Sequence, residues 1–336
     1  MEKLKKVIAV VVTYNRKELL KECIEALLNQ DYKNCHILIV DNASTDGTKE
    51  YINEYLKNEM IHYVNTGANL GGAGGFNYGM KEAYKIGCDF MWIMDDDTIP
   101  CKDALKELIG SDEILEGKYG FLSSVALWKD DSQCKMNIQK ISKNWYVDSR
   151  YLKSGLLRTY YATFVSMLIR TDTIVKVGLP IKDFFIWGDD IEYTNRISKK
   201  YNCYISGKSQ VVHYTANNEG SNIAKDSKDR INRYKYAYRN EMYIAKQNGI
   251  KGIFRQIAKI CLHLFRVLFI SNGEKVKKIR IILSSSLKGL FFNPKVEYIE
   301  CCNKGSELKW LEFYKFLENP CLMVDKKRLL WIHIEI

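Results

Sequence analysis

Ten cysteines occur in this chain of 336 residues, yet none stand in C-x-x-C spacing, and the one close pair is the vicinal Cys301-Cys302. That scatter excludes a zinc ribbon and a disulfide framework, and fits reduced thiols in a cytosolic protein. No small-residue cleavage site follows the apolar run Val7–Val12, which is also too brief for a signal peptide. Without a secretion signal, the glycosylation pattern Asn42-Ala43-Ser44 reads as coincidence. The C-terminal part has no uncharged stretch near the ~20 apolar residues of a spanning helix.

What is present is an ordinary globular composition, 46% hydrophobic and 27% charged, long enough for one large domain or two smaller ones. The net charge of +11 is unevenly held. Residues 221–336 carry 23 Lys and Arg against 11 Asp and Glu, whereas residues 1–220 carry 28 against 29. Basicity therefore belongs to the C-terminal third, and an anionic surface is a partner for that part only.

Val7–Val12 and His36–Val40 are continuous apolar runs, the pattern of strands buried on both faces. Ile61–Val64 is a third short strand and Phe90–Asp95 a fourth. Helical spacing marks Leu19 to Leu28, Thr48 to about Leu56, and Phe76–Ile86 between them. This alternation predicts βαβ units and a mainly parallel sheet. Ligands bind outside the carboxyl ends of such strands. Asp41, Asn69 and Asp95-Asp96-Asp97 each follow a predicted strand, so they are expected on one edge.

Farther on, Phe121–Leu127 and Tyr160–Ile169 read as strands, with Lys129–Ser154 between them as an insertion or mobile loop. Phe184–Glu192 again opens from apolar residues onto carboxylates, and a helix to about Lys200 follows. Val211–Tyr214 is a short strand carrying His213. Two nucleotide motifs fail: Asn77 stands where Gly72-Ala73-Gly74 would need its third glycine, and Asn202 replaces the first glycine of a P-loop ending at Gly207-Lys208-Ser209.

Three adjacent carboxylates, Asp95 to Asp97, are costly unless a cation or water lies among them. Alone, the cluster is equally an acidic surface turn. In order, however, Val11–Arg16, Val40–Gly47, Asn69–Gly75, Met94–Asp97, Trp187–Glu192 and His213 resemble the inverting glycosyltransferases of family 2. The triple Asp with the glycine-rich stretch and Trp-x-Asp-Asp is most similar to the galactofuranosyltransferase-like branch.

The resemblance spans about residues 7–215 and implies an α/β GT-A (nucleotide-diphospho-sugar transferase) fold. It also implies metal-dependent transfer of a sugar, with UDP-galactofuranose as donor, to a hydroxyl of a growing cell-surface glycan or lipid-linked acceptor. A rhamnosyl- or other hexosyltransferase of the same fold is the alternative. Asp95, Asp97 and His213 would hold Mn²⁺ or Mg²⁺, which neutralises charge growing on the leaving pyrophosphate. Asp96 would face the ribose and pyrophosphate. Thr13, Arg16, Asp41 and Ser44 would surround base and ribose, and Asn69, Gly71 and Gly72 would let the backbone approach the donor.

Asp190 would be the base that takes the acceptor proton, with Asp189 supporting the acceptor and Trp187 stacking on a sugar ring. Its position at a helix N-terminus is expected to lower its pKa. Two rivals are a nucleotidyltransferase, which would need a basic glycine-rich loop after the first strand, and a non-catalytic carbohydrate- or membrane-binding homologue.

The domains expected are 1–220 (catalytic) and 221–336 (helical and basic). Within the latter, Ile250, Ile253, Phe254, Ile257, Ile260, Cys261, Leu264 and Phe265 mark one helical face, with Lys251, Arg255, Lys259 and Arg266 on others. Such a helix either lies on an anionic membrane or packs on the catalytic domain. A chain cut after about Gly220 is expected to bind anionic vesicles more weakly. No nucleic-acid recognition motif accompanies the basic tail. The expected location is the cytoplasm, with the inner face of the plasma membrane as the surface for the basic region.

Overall fold

The first strand, β1 (Val7–Thr13), is buried at all seven residues. A computed structural model of the chain describes residues 4–226, 228–271 and 273–299. The vicinal Cys301-Cys302 and the rest of 300–336 lie outside the described residues. β1 alternates its side chains between two cores. Val7, Ala9 and Val11 meet Leu20, Ile24, Leu105 and Leu108 on one face. Ile8, Val10 and Val12 meet Phe76, Met80 and Ala83 on the other. Burial on both faces explains the unbroken apolar run.

Ten strands form one sheet in the order β3-β2-β1-β4-β9-β6-β10-β8-β7, with β5 paired to β10. The first half is parallel, β1 lying between β2 (Cys35–Asp41) and β4 (Phe90–Asp95), with β3 (Ile61–Asn65) outside β2. The second half is mixed. It holds β5 (Thr98–Pro100), β6 (Leu122–Leu127), β7 (Lys140–Ile141), β8 (Leu156–Tyr161), β9 (Met167–Arg170) and β10 (Cys203–His213). β6 runs parallel to β10, while β9 is antiparallel to both β4 and β6.

Helices α1 (Lys17–Leu28), α2 (Thr48–Tyr51) and α3 (Gly71–Ile86) link the parallel strands, and α4 (Ala104–Ile114) follows β5. Next come α5 (Thr171–Val177) and α6 (Asp189–Ser198). The C-terminal part supplies α7 (Lys228–Ile231), α8 (Tyr234–Gln247), α9 (Gly249–Ile270) and α10 (Lys275–Phe291). The fold is the α/β GT-A type, with C-terminal helices.

Several elements differ from the sequence expectation. The predicted strand Tyr160–Ile169 is two strands, β8 and β9, with a break at 162–166 where Ser166 takes a φ of 62°. The glycine-rich stretch is the opening of α3, which begins at Gly71 and not at Phe76. A Cβ on Gly75 or Gly79 would collide with Val12 or with Val10 and Val40, so these glycines let the helix sit close on the sheet. The stretch 129–154 contains short 3₁₀ turns at Lys135–Asn137 and Trp145–Ser154 and the edge strand β7.

Candidate active site

β4 ends at Asp95, level with Val12 of β1, so the three aspartates emerge beside the turn after β1. That turn supplies their counter-charge. Thr13 Oγ1 donates to Asp96 at 2.7 Å, and Arg16 Nη1 donates to Asp97 at 2.7 Å and to Asp96 at 3.2 Å. β10 enters from the other side, where His213 Nε2 lies 3.0 Å from Asp97 Oδ1. Asp96 and Asp97 are buried and satisfied. Asp95 is partly exposed, and its carboxylate has no hydrogen-bond partner among the described residues.

The electrostatics follow from burial and crowding. Burial and the Asp97 carboxylate push Asp95 up to about 7. Burial pushes Asp96 up to about 6, against the opposing pull of Arg16. Burial would raise Asp97 too, but the hydrogen bond and charge of His213, with Arg16, hold it below the usual carboxylate range. Burial would lower His213, yet its bonds to Asp97 and Cys134 and the charges of Asp97 and Asp95 carry it to about 10. Asp95, Asp97 and His213 each offer a ligand atom, and these atoms lie within 4.8 Å of one another. Two carboxylates and an imidazole suit a divalent cation such as Mn²⁺.

His213 is oriented by a residue that the sequence did not single out. Its Nδ1 lies 2.7 Å from Asn137 Oδ1, while Asn137 Nδ2 donates to Thr163 Oγ1 at 2.9 Å. With the amide oxygen turned to the ring, Nδ1 carries the hydrogen and Nε2 faces the carboxylates. Asn137 comes from the polar stretch after β6, where one more polar residue gives no sequence signal.

The loops after β2 and β3 close the same edge. Asp41 is buried, accepting from Ser44 N at 2.8 Å and from Tyr63 Oη at 2.6 Å. Ser44 Oγ in turn accepts from Asn15 N at 2.9 Å, beside Arg16. Asn69 Oδ1 receives Gly71 N at 2.9 Å, and Asn42 reaches the Gly71 carbonyl at 3.1 Å. Gly71 has a φ of 71°, and a Cβ there would strike the Phe185 carbonyl. The close approach at Gly71 is thus to protein. Gly72 faces open space.

Asp189 and Asp190 begin α6 after a tight loop. Phe185, Trp187 and Gly188 have φ of 65°, 64° and 87°, conformations that cost ordinary side chains on the order of 1 kcal/mol each. The loop is held from α8, whose buried Asn240 donates to the carbonyls of Phe184 at 3.0 Å, Ile186 at 3.2 Å and Trp187 at 2.8 Å. Trp187 is half-buried, meeting Tyr234 edge-on at 5.0 Å with the Arg230 guanidinium 5.9 Å from its ring.

Asp189 is buried and held well above the usual range by that burial and by Asp190, with a contribution from Asp95 that joins this pair to the triple aspartate. Asp190 is partly exposed. The expected lowering at the helix start does not prevail: the surrounding protein pushes Asp190 up to about 6, although backbone N–H bonds oppose it. The site is open. The cavity of about 410 Å³ lined by Ile114, Asp148, Tyr151 and Tyr204 includes none of these residues.

Residues 8–154 match the family model described as Glycosyl transferase family 2. That stretch of the chain belongs to this family. The glycosyltransferase is 26% identical over 264 residues to galactofuranosyltransferase GlfT1 of Mycolicibacterium smegmatis, covering 74% of this chain and 86% of that protein. Its fold is similar to that of a mannosyltransferase from Pyrobaculum calidifontis solved with GDP-Man and Mn²⁺, at a TM-score of 0.52 and 17% identity, covering 95% and 82% of the two chains. It is also similar to GalNAc-T7 solved with UDP, GalNAc and Mn²⁺, at a TM-score of 0.55 and 12% identity, covering 95% of this chain and 59% of that one. Among the described residues, no helix of the glycosyltransferase is long and apolar enough to cross a membrane.

Proposed function

We propose that the glycosyltransferase moves galactofuranose from UDP-galactofuranose to a hydroxyl of a cell-surface glycan or lipid-linked acceptor, inverting the anomeric centre. The observation that carries this reading is the juxtaposition of Asp95, Asp97 and His213 with a second carboxylate pair, Asp189-Asp190. The similarity to a galactofuranosyltransferase supports the choice of sugar. Asp95, Asp97 and His213 would hold Mn²⁺ or Mg²⁺, which when bound supplies Lewis-acid neutralisation of the departing pyrophosphate.

The chain's own residues do the rest. Thr13 and Arg16 fix Asp96 and Asp97, so the carboxylates keep one arrangement as the donor arrives. Asp96 faces the ribose and pyrophosphate, while Asp41 and Ser44 border the base. Asn69 and Gly71 shape the backbone edge, and Gly72 leaves room against the donor.

The acceptor oxygen attacks the anomeric carbon, the bond from that carbon to the phosphate oxygen breaks, and UDP leaves. Asp190 takes the acceptor's proton, Asp189 supports the acceptor, and Trp187 stacks on a sugar ring. A pKa near 6 makes Asp190 a stronger base than an ordinary carboxylate while still ionised at neutral pH. Residues 1–220 form the catalytic part of this scheme, acting in the cytoplasm, and the helices after them support its acceptor side.

The test is a screen of nucleotide sugars with and without Mn²⁺, reading release of the nucleotide. UDP-galactofuranose is expected to support release that EDTA abolishes. Turnover of an activated rhamnose or another hexose in its place would overturn the sugar, and no turnover with any donor would overturn the catalytic reading.

A further inference from the structure

The two longest C-terminal helices are inside out. On α9, Ile250, Phe254, Ile257, Cys261, Phe265 and Leu268 recur at helical spacing, and every one is exposed, Phe254 by 66%. The opposite face, turned to α8, is poorer in large apolar groups: Gly252, Gln256, Ile260 and Val267 are the buried residues. The apolar face predicted from the sequence is therefore split, with Ile260 turned inward and Phe254 outward. On α10 the pattern repeats: Lys278 is buried, donating to the Ala224 carbonyl at 3.1 Å and Ser271 Oγ at 2.8 Å. Val276, Leu283, Leu287 and Phe291 are exposed, Phe291 by 83%.

Specific contacts fix this orientation. Gln256 Nε2 donates to Glu241 at 3.0 Å, Lys259 pairs with the same carboxylate at 2.8 Å, and Tyr238 Oη bonds His263 Nδ1 at 2.7 Å. A Cβ on Gly252 would strike the Ala245 carbonyl. α9 cannot roll over to hide its phenylalanines without breaking all of these.

Charge says what covers the face. Between residues 249 and 291 there are nine Lys and Arg and one acid, Glu274. Lys251, Arg255, Lys259 and Arg266 lie along one flank of the exposed stripe. A second copy of this chain would bring like charges together, whereas a sheet of acidic headgroups over hydrocarbon matches both the flank and the stripe. We propose that α9 and α10 dock flat on an anionic phospholipid bilayer, their exposed apolar stripes entering the acyl boundary.

Ile260, Leu264 and Val267 share a cluster with Tyr234 and Tyr238 of α8 and with Trp187, so docking links the bilayer through α8 to the loop that leads to Asp190. That consequence, access to an acceptor carried on a lipid, rests on the sugar-transfer reading, while the docking itself does not.

The test uses the full-length protein and flotation with phosphatidylcholine vesicles, plain or doped with phosphatidylglycerol. Binding is expected with the doped vesicles and much less with the plain ones. The double variant Phe254→Ser/Phe265→Ser is expected to bind about tenfold more weakly or worse. Lys251→Glu/Arg255→Glu should lose about fivefold per charge on doped vesicles only. Both pairs are exposed, and an unchanged melting temperature shows that the fold is kept. Wild type that does not float, or a serine variant that floats like wild type, overturns the proposal. So does the serine pair abolishing a dimer in protein that does not float. Nucleotide release from donor is read separately in vesicle-free solution, so failure of the catalytic reading and failure of docking are distinguishable.

Discussion

Asp95 has no hydrogen-bonding partner among the described residues, while its two neighbours are tied to Thr13, Arg16 and His213. His213, carried to about 10, holds a proton at neutral pH in the metal-free protein. An ion bound through Nε2 must expel that proton, so Mn²⁺ affinity is expected to rise with pH, by up to about tenfold per unit between pH 6 and 8. Calorimetry in buffers of different ionisation enthalpy reads the released proton directly.

Asn137→Leu should weaken the same affinity by about 10- to 100-fold, and Asn137→Asp, which still accepts from Nδ1, should restore much of it. For Asp190, a folded-state pKa raised to about 6 means that the carboxyl is protonated at pH 5 and cannot accept a proton. At saturating Mn²⁺, kcat/KM is therefore expected to climb about tenfold per unit below pH 6 and level off above it. Asp190→Asn should cost roughly 10²- to 10⁴-fold in kcat with nucleotide binding retained, and near-normal turnover would remove Asp190 from its role.

Among the elements, the glycine-rich opening of α3 and the loop before α6 form one joint. Gly71→Ala would meet both a positive φ and the Phe185 carbonyl, and is expected to destabilise by more than about 2 kcal/mol. Gly72→Ala has open space around it and should leave stability nearly unchanged, so a rise in donor KM there would report contact with the donor. Asn240→Leu would take a donor from three carbonyls at once, of which only that of Phe184 keeps others, Ile186 N and Arg239, among the described residues, and is expected to cost about 2–4 kcal/mol, read as a shift in the urea midpoint.

How legible these elements were depended on where their determinants lay. β1, β2 and β4 could be read because both faces are buried and a run of apolar residues fills each strand up to its polar end. Trp187-Gly188-Asp189-Asp190 could be read because apolar residues open abruptly onto charge. Asn137 and Asn240 could not, since each acts on a residue more than fifty positions away and resembles its polar surroundings. The split between β8 and β9 was hidden because the break at 162–166 keeps an apolar composition.

For the molecule as a whole, charge asymmetry in the sequence pointed to a surface-seeking C-terminal region. It did not show which side of α9 faces away from the protein. That is set by Glu241 and Tyr238 on α8, partners that periodicity cannot identify. The described residues through Ile299 gather in one compact unit. The chain's late return matters here: Leu179 N donates to the Glu297 carbonyl at 2.8 Å, and the Glu297 carboxylate takes Lys81 and Lys182 at 2.6 Å each. During translation, then, the sheet and the triple aspartate emerge well before their braces. A nascent chain of 220 residues displays the donor edge, but the loop carrying Trp187 still lacks Asn240 beneath it and Glu297 behind it. The acceptor half of the site is finished only after the helices with the exposed apolar stripes have left the ribosome.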